Sequence, residues 1–279
     1  MSHSGALFSL LGSNRSLDPG RRWWLVGSLV AAVACGGGNQ NGEVHHASVE
    51  TISVPGPGRD TYETTTEPGG VRAESAAEQV ASGVRDAGQD AGVLLQGDER
   101  LALLAEWIVP HLGQGGAAPP HEVIELFTRH LGLVEPVPHL LVLGQSSDSG
   151  LDVAVADGVR RFLARQRYTH FGAAVVLQGD LRVVVVTLST RVLTLDSVPR
   201  ALAAGTRALT LRGRLAAGYS TPTVALAPPG AAVARLPARP GPHLTVEVPL
   251  GGPGAYQVAA PARCTRGDSV GANCHSQDG

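Results

Sequence analysis

The sequence predicts a mixed α+β protein: a small helical α+β module followed by an immunoglobulin-like β-sandwich, set behind a signal peptide and a disordered tether. Three observations carry that expectation. Apolar residues recur at helical spacing between Asp98 and Leu163. Period-two alternation broken by turn clusters takes over from about residue 191. Ahead of both lies a stretch, 36–95, with few large apolar residues. The expected divisions are therefore 1–34, 35–95, 96–190, 191–260 and an irregular tail, 261–279.

The N-terminal part reads as a leader. Arg15, Arg21 and Arg22 supply positive charge, and Trp23 to Ala34 supplies a charge-free apolar run. As a helix, that run would rise only ~18 Å against a bilayer core of ~30 Å, so a spanning helix is not expected. Ala32-Val33-Ala34-Cys35 resembles the lipobox of bacterial lipoproteins, with Ala32 where Leu is usual. The resemblance makes Cys35 the lipidated first residue of the mature protein. Ordinary cleavage after Ala34, with Cys35 left free, is an alternative, as is an internal start with no signal at all. Two or three acyl chains would hold the protein stably at a membrane, where one binds only marginally. Gly36 in the following position resembles lipoproteins sent to the outer membrane of diderm bacteria.

Residues 36–95 carry Gly36-Gly37-Gly38, Pro55-Gly56-Pro57-Gly58 and Pro68-Gly69-Gly70, with three arginines against nine acids. Such a stretch buries too little apolar surface to offset its ordering entropy, so it is expected to be mostly disordered, with a weak helix at 74–85.

Order is expected from Asp98, a fitting N-cap for a helix whose face is Leu101, Leu104, Ile108 and Leu112. Pro110 kinks or ends it. Pro119-Pro120 introduces a second helix with Val123, Ile124, Phe127 and Leu131 inward and Gly132 as its stop. Leu140–Leu143 reads as a buried strand and 152–166 as a third helix, with cations at its C-terminal end. Strands Phe171–Leu177 and Leu181–Leu188 follow, joined at Gln178-Gly179-Asp180. Val183-Val184-Val185-Val186 lacks alternation, which implies burial on both faces.

From 191 onward the candidate strands are 191–195, 207–213, 222–227, 231–236, 243–248 and 254–259, separated by Pro/Gly turns. Alternation stops after Val258. The polar tail holds Cys264 and Cys274, close enough in the chain to form a disulfide after export. The change in character there also fits a slipped reading frame.

Basic residues are all arginine, and no basic run exists, so nucleic-acid binding is unsupported. Residues 96–279 hold 16 arginines against 14 acids, so the acidity belongs to the tether. His121 and Glu125 would share a helix face, with His130 further along. This is not HExxH, because Glu125 stands where the second His belongs, and neither a metal site nor a cofactor is expected. No GxSxG elbow is present, and Gly144 to Gly150 reads as a loop and helix start. Cys264 has no nearby base to activate it. His170 reads as a hydrogen-bonded residue at a strand start, and Arg266-Gly267-Asp268 as coincidence.

Arg165 to Val176 resembles the last helix-to-strand passage of the CAP (cysteine-rich secretory protein) superfamily. Residues 98–260 resemble the accessory region that precedes the CAP domain in secreted lipoproteins of GC-rich bacteria. Leu103 to Pro110, His130 to Leu141 and Pro249 to Val258 carry that likeness. The domain's His/Glu cavity and its SPGHR-like helix have no counterpart, so the resemblance implies no catalytic residues. The expected role is that of an exported, lipid-anchored envelope protein, non-enzymatic, binding or presenting a protein or envelope polymer. The competing expectations are a secreted enzyme, CAP-like or hydrolytic, with its site in 98–190, and a truncated inactive product.

Overall fold

The computed structural model describes residues 4–12, 52–73, 76–146, 149–220 and 222–264. Cys35, Cys274 and Arg266-Gly267-Asp268 lie outside the described residues, and with them the lipidation, the disulfide and the tail beyond Cys264. Ile52–Gly56, without helix or strand, belongs to one unit; residues 4–12 and the described chain from Pro57 onward form another, compact one.

Three extended pieces come first: β1 (Ser4–Gly12), β2 (Thr61–Tyr62) and β3 (Val71–Arg72). Then follow α1 (Ala77–Asp90), β4 (Gln96–Gly97), α2 (Glu99–Ile108), α3 (His121–His130), β5 (His139–Gln145), α4 (Leu151–Leu163), β6 (His170–Gln178) and β7 (Leu181–Ser189). The helices begin and end where local chemistry dictates. Asp98 caps α2 by accepting the Arg100 N–H at 2.9 Å. A 3-10 turn at Val109–His111, containing Pro110, closes it. Gly132, at φ +70°, takes the left-handed position after α3.

These elements make a sheet ordered β3-β6-β7-β5, with β4 also paired to β6. The β5, β6 and β7 ladders are antiparallel; β3 and β4 run parallel to β6. On one face, Val80 and Val84 of α1 and Val155 and Val159 of α4 share a core with Phe171, Ala173, Val184 and Val186. The two helices meet at Gly83, where a Cβ would stand 2.4 Å from the Asp152 carbonyl oxygen. On the other face lies α2, and the Thr187 hydroxyl donates to the Leu101 carbonyl at 3.0 Å. Val183 to Ser189 is buried throughout, as the missing alternation implies. At the β6–β7 turn, Gly179 has φ +62°, as a primed hairpin requires.

The second part comprises β8 (Leu193–Leu195), β9 (Val198–Pro199), β10 (Ala201–Leu202), β11 (Ala208–Leu215), β12 (Tyr219–Ser220), β13 (Val224–Ala227), β14 (Ala234–Leu236), β15 (His243–Pro249) and β16 (Gly254–Cys264). One sheet runs β15-β11-β8; the other runs β10-β1-β16-β13-β14, with β12 also paired to β16. Both contribute to one apolar core, in which Leu211, Leu244 and Val246 meet Val224, Leu226 and Val258. Leu244, Val246 and Val248 are buried and their neighbours exposed, as the alternation requires. The protein is thus a mixed α+β structure.

Two differences from the sequence reading stand out. From Pro57 onward, the described part of the expected tether is built into the fold. α1 is longer than the anticipated helix and buries Val80, Val84 and Ala87, while β2 pairs with β9 and β3 with β6. This stretch has few large apolar side chains, but Tyr62, Val80 and Val84 are fully buried, and the Thr64 and Thr65 carbonyls accept from Arg191 and Arg100. Secondly, β1 falls within the stretch read as leader, yet lies antiparallel along β16, from Ser4 opposite Ala262 to Gly12 opposite Gly254. Strand β16 itself continues to Cys264, past the expected start of the tail.

Candidate functional site

The strongest concentration of polar chemistry in the described residues is a buried knot where α2, β6, the β7–β8 connection and the segment Arg59–Glu67 converge. Asp98, Arg100, Glu135, His170 and Arg191 are all buried there, with Thr64. Local sequence explains four of these positions. Asp98 is the N-cap of α2, Arg100 lies in its first turn, His170 opens β6, and Arg191 follows the apolar β7.

Arg191 is the hub. Its guanidinium donates through Nε to Glu135 Oε1, through Nη2 to Asp98 Oδ2 at 3.0 Å, and through Nη1 to the Thr64 carbonyl at 2.7 Å and Thr66 Oγ1 at 3.0 Å. Arg100 works from the other side, donating to the Glu63 carbonyl at 3.0 Å and the Thr65 carbonyl at 2.6 Å. Its Nε stands 3.7 Å from Glu67 Oε1. The two arginines therefore grip one short segment by its carbonyls, while the Thr64 hydroxyl accepts the Leu195 N–H at 2.6 Å. Two buried cations face two buried anions, so the knot is close to neutral. Such a set is costly to break, because removing one member strands its partner and costs ~3–5 kcal/mol.

His170 is held on both nitrogens: Nε2 is 3.0 Å from Thr66 Oγ1, and Nδ1 is 2.8 Å from Thr169 Oγ1. Thr169 Oγ1 also accepts the Arg191 N–H, and Thr66 Oγ1 accepts from Arg191 Nη1. A neutral imidazole, donating from one nitrogen and accepting at the other, satisfies this pattern, and both tautomers fit it. Burial, with the neighbouring Arg191, pushes the His170 pKa down to about 4. For Asp98, burial alone would raise the pKa, but Arg100 and Arg191 outweigh it and hold the carboxyl below its ordinary value.

Asp98, His170 and Ser189 thus lie in one neighbourhood, with Ser189 opposite His170 in the β6–β7 ladder. They do not form a hydrolytic triad. Both imidazole nitrogens face threonine hydroxyls, and Asp98 faces guanidinium groups; a triad needs the carboxylate on one nitrogen and the nucleophile on the other.

His121, Glu125 and His130, which the helical spacing placed along one helix, are engaged separately. His121 is exposed, Glu125 pairs with Arg129 at 2.6 Å, and the His130 ring lies 5.8 Å from that of Trp107. Among the described residues, no group of three or more His, Cys, Asp or Glu is placed to hold a metal ion. A groove of about 410 Å³ lies between the Ala203–Arg207 and Leu250–Pro253 loops, and one of about 210 Å³ lies between α4 and β5. Arginines are the only charged residues lining them, and His121, Glu125, His130 and His170 line neither.

Sequence reasoning found Asp98 as a cap and His170 as a hydrogen-bonded strand residue. It missed Arg100, Glu135 and Arg191 as members of one network. The available signal was a lone Arg191 between the apolar runs Val183–Leu188 and Val192–Leu195. Compared with known proteins, the chain matches no family model and no curated protein.

Proposed function

We propose that this chain is an exported, lipid-anchored cell-envelope protein with a non-enzymatic binding or structural role. The observation that carries the reading is Cys35, at the end of a charge-free apolar run preceded by Arg21-Arg22 and followed by three glycines. Acylation there holds the module at a membrane surface. Among the described residues, no helix is long and apolar enough to cross a bilayer.

The second part is read as an immunoglobulin-like sandwich. Two sheets sharing one core support this, as does Tyr256 near the start of β16. Its hydroxyl donates to the Gly252 carbonyl at 2.7 Å and accepts the Gly252 N–H at 3.0 Å, in the manner of the tyrosine corner of such sandwiches. The first part is read as the accessory α+β module of CAP-type lipoproteins. A sandwich on a lipid anchor suits presentation or adhesion, by analogy between folds.

Metabolic labelling with palmitate tests the anchor. Wild-type chain is expected to take up label and Cys35→Ala to take up none; equal label in both rejects the proposal.

A further inference from the structure

We propose that the side of β16 covered by β1 is a strand-acceptor site. It takes an extended, uncharged peptide, antiparallel to β16, with large apolar residues at alternate positions. The inference rests on the lipoprotein reading in one respect: cleavage before Cys35 removes residues 1–34, and β1 with them.

The full chain shows what the site accepts. Strand β1 runs along β16 for nine residues in unbroken antiparallel register, and its sequence, SGALFSLLG, carries no charge. Phe8 stands opposite Val258 and Leu10 opposite Tyr256. Both partners are core residues of the shared apolar cluster, as is Ala260 opposite Ala6. From Gly254 to Ala262, β16 carries no charged side chain of its own. It therefore lacks the inward charges by which natural sheets protect an edge.

On its other side, β16 is already paired with β13, Ala225 opposite Ala259 and Leu226 opposite Val258. Removal of β1 therefore opens one edge of a strand whose other edge and core face are engaged. That edge presents unpaired N–H and C=O groups beside an apolar core, the geometry used when peptides bind by adding a strand to a sheet. Main-chain bonds supply affinity there, and the positions opposite Val258 and Tyr256 supply selectivity. The occupant is an extended segment of another envelope protein with large apolar residues opposite Val258 and Tyr256, as Phe8 and Leu10 are in β1.

The probe is a fluorescein-labelled synthetic peptide spanning His3–Ser13. Its targets are the processed protein extracted from membranes and the unprocessed Cys35→Ala chain, which keeps β1. Processed protein is expected to bind the peptide, the unprocessed chain to bind at least about tenfold more weakly, and a Phe8→Asp peptide to lose binding to processed protein by a similar factor, about 1.4 kcal/mol per tenfold. Absence of binding to protein whose N-terminus is proven by mass spectrometry to be Cys35 overturns the inference. Equal binding of the Phe8→Asp peptide also overturns it. If mass spectrometry instead finds residues 4–12 retained, β1 stays on β16 and the acceptor site falls together with the lipoprotein reading, whereas absent binding at a proven Cys35 terminus overturns the acceptor site alone.

Discussion

An imidazole clasped between two threonine hydroxyls and beside a guanidinium takes up a proton only at a cost to the fold. His170 titrates at about 4 in the folded chain, against an ordinary value near 6.5. As pH falls, the unfolded chain therefore binds the proton first. The stability His170 supports is present above pH 6.5 and is lost as pH falls from there to about 4, by on the order of 3 kcal/mol. Asp98, whose pKa is lowered, loses its contribution only below its ordinary value of 3.8. Urea denaturation between pH 7 and pH 4.5 is expected to show falling stability in wild type and a flatter profile in His170→Gln. Equal slopes in the two would refute the assignment. At this scale the sequence was partly legible. The Asp98 cap is local, with its donor two residues away, whereas Arg191 finds Asp98 across 93 residues and Glu135 across 56. Chain periodicity does not report on pairings of that span.

Strand β6 shows how an element can depend on a missing side chain. Gly172 lies directly under α2: a Cβ there would stand 2.1 Å from the Ala102 nitrogen and 2.1 Å from the Leu101 carbonyl carbon. Both are backbone atoms, so no rotamer change relieves the clash. Valine is a better strand former than glycine, and on propensity alone Gly172→Val would stabilise β6. The close approach predicts the opposite, a loss of at least ~1–3 kcal/mol as α2 is pushed off the sheet. Thermal denaturation checks it; a melting temperature at or above wild type would reject the close packing. Long apolar elements such as β7 were legible from their composition, because two-sided burial demands it. α1 was harder to recognise, since its buried face includes Gly83, Ala87 and Gly88, whose value lies in letting other chains come close.

For the molecule as a whole, the segment from Arg59 to Asp90 decides what the folding unit is. Arg100 and Arg191 hold Thr65 and Thr64 by their carbonyls, Tyr62 enters the apolar core of the second part, and α1 lies against α4. A fragment of residues 57–264 is therefore expected to unfold in urea as one cooperative transition followed by Trp107 fluorescence. A fragment of 96–264 should lose that cooperativity, because it leaves Arg100 and Arg191 without those carbonyls and α4 without the helix α1 that packs against it. A sharp transition of unchanged midpoint in the shorter fragment would show that the segment is dispensable.

The sequence by itself determined the helices at 99–108 and 121–130, the β6–β7 hairpin and the alternation of β15. Each follows from local chemistry: a cap, a proline, a left-handed glycine or a period of two. The leader-like run ending at Cys35 is of the same kind, a pattern contained in a few consecutive residues. Tertiary structure alone decided that residues 59–72 are a clamped segment, that five buried ionisable side chains form one knot, and that β16 carries a strand on each side. Those outcomes depend on groups far apart in the chain, whose energies appear only once burial has removed water from between them.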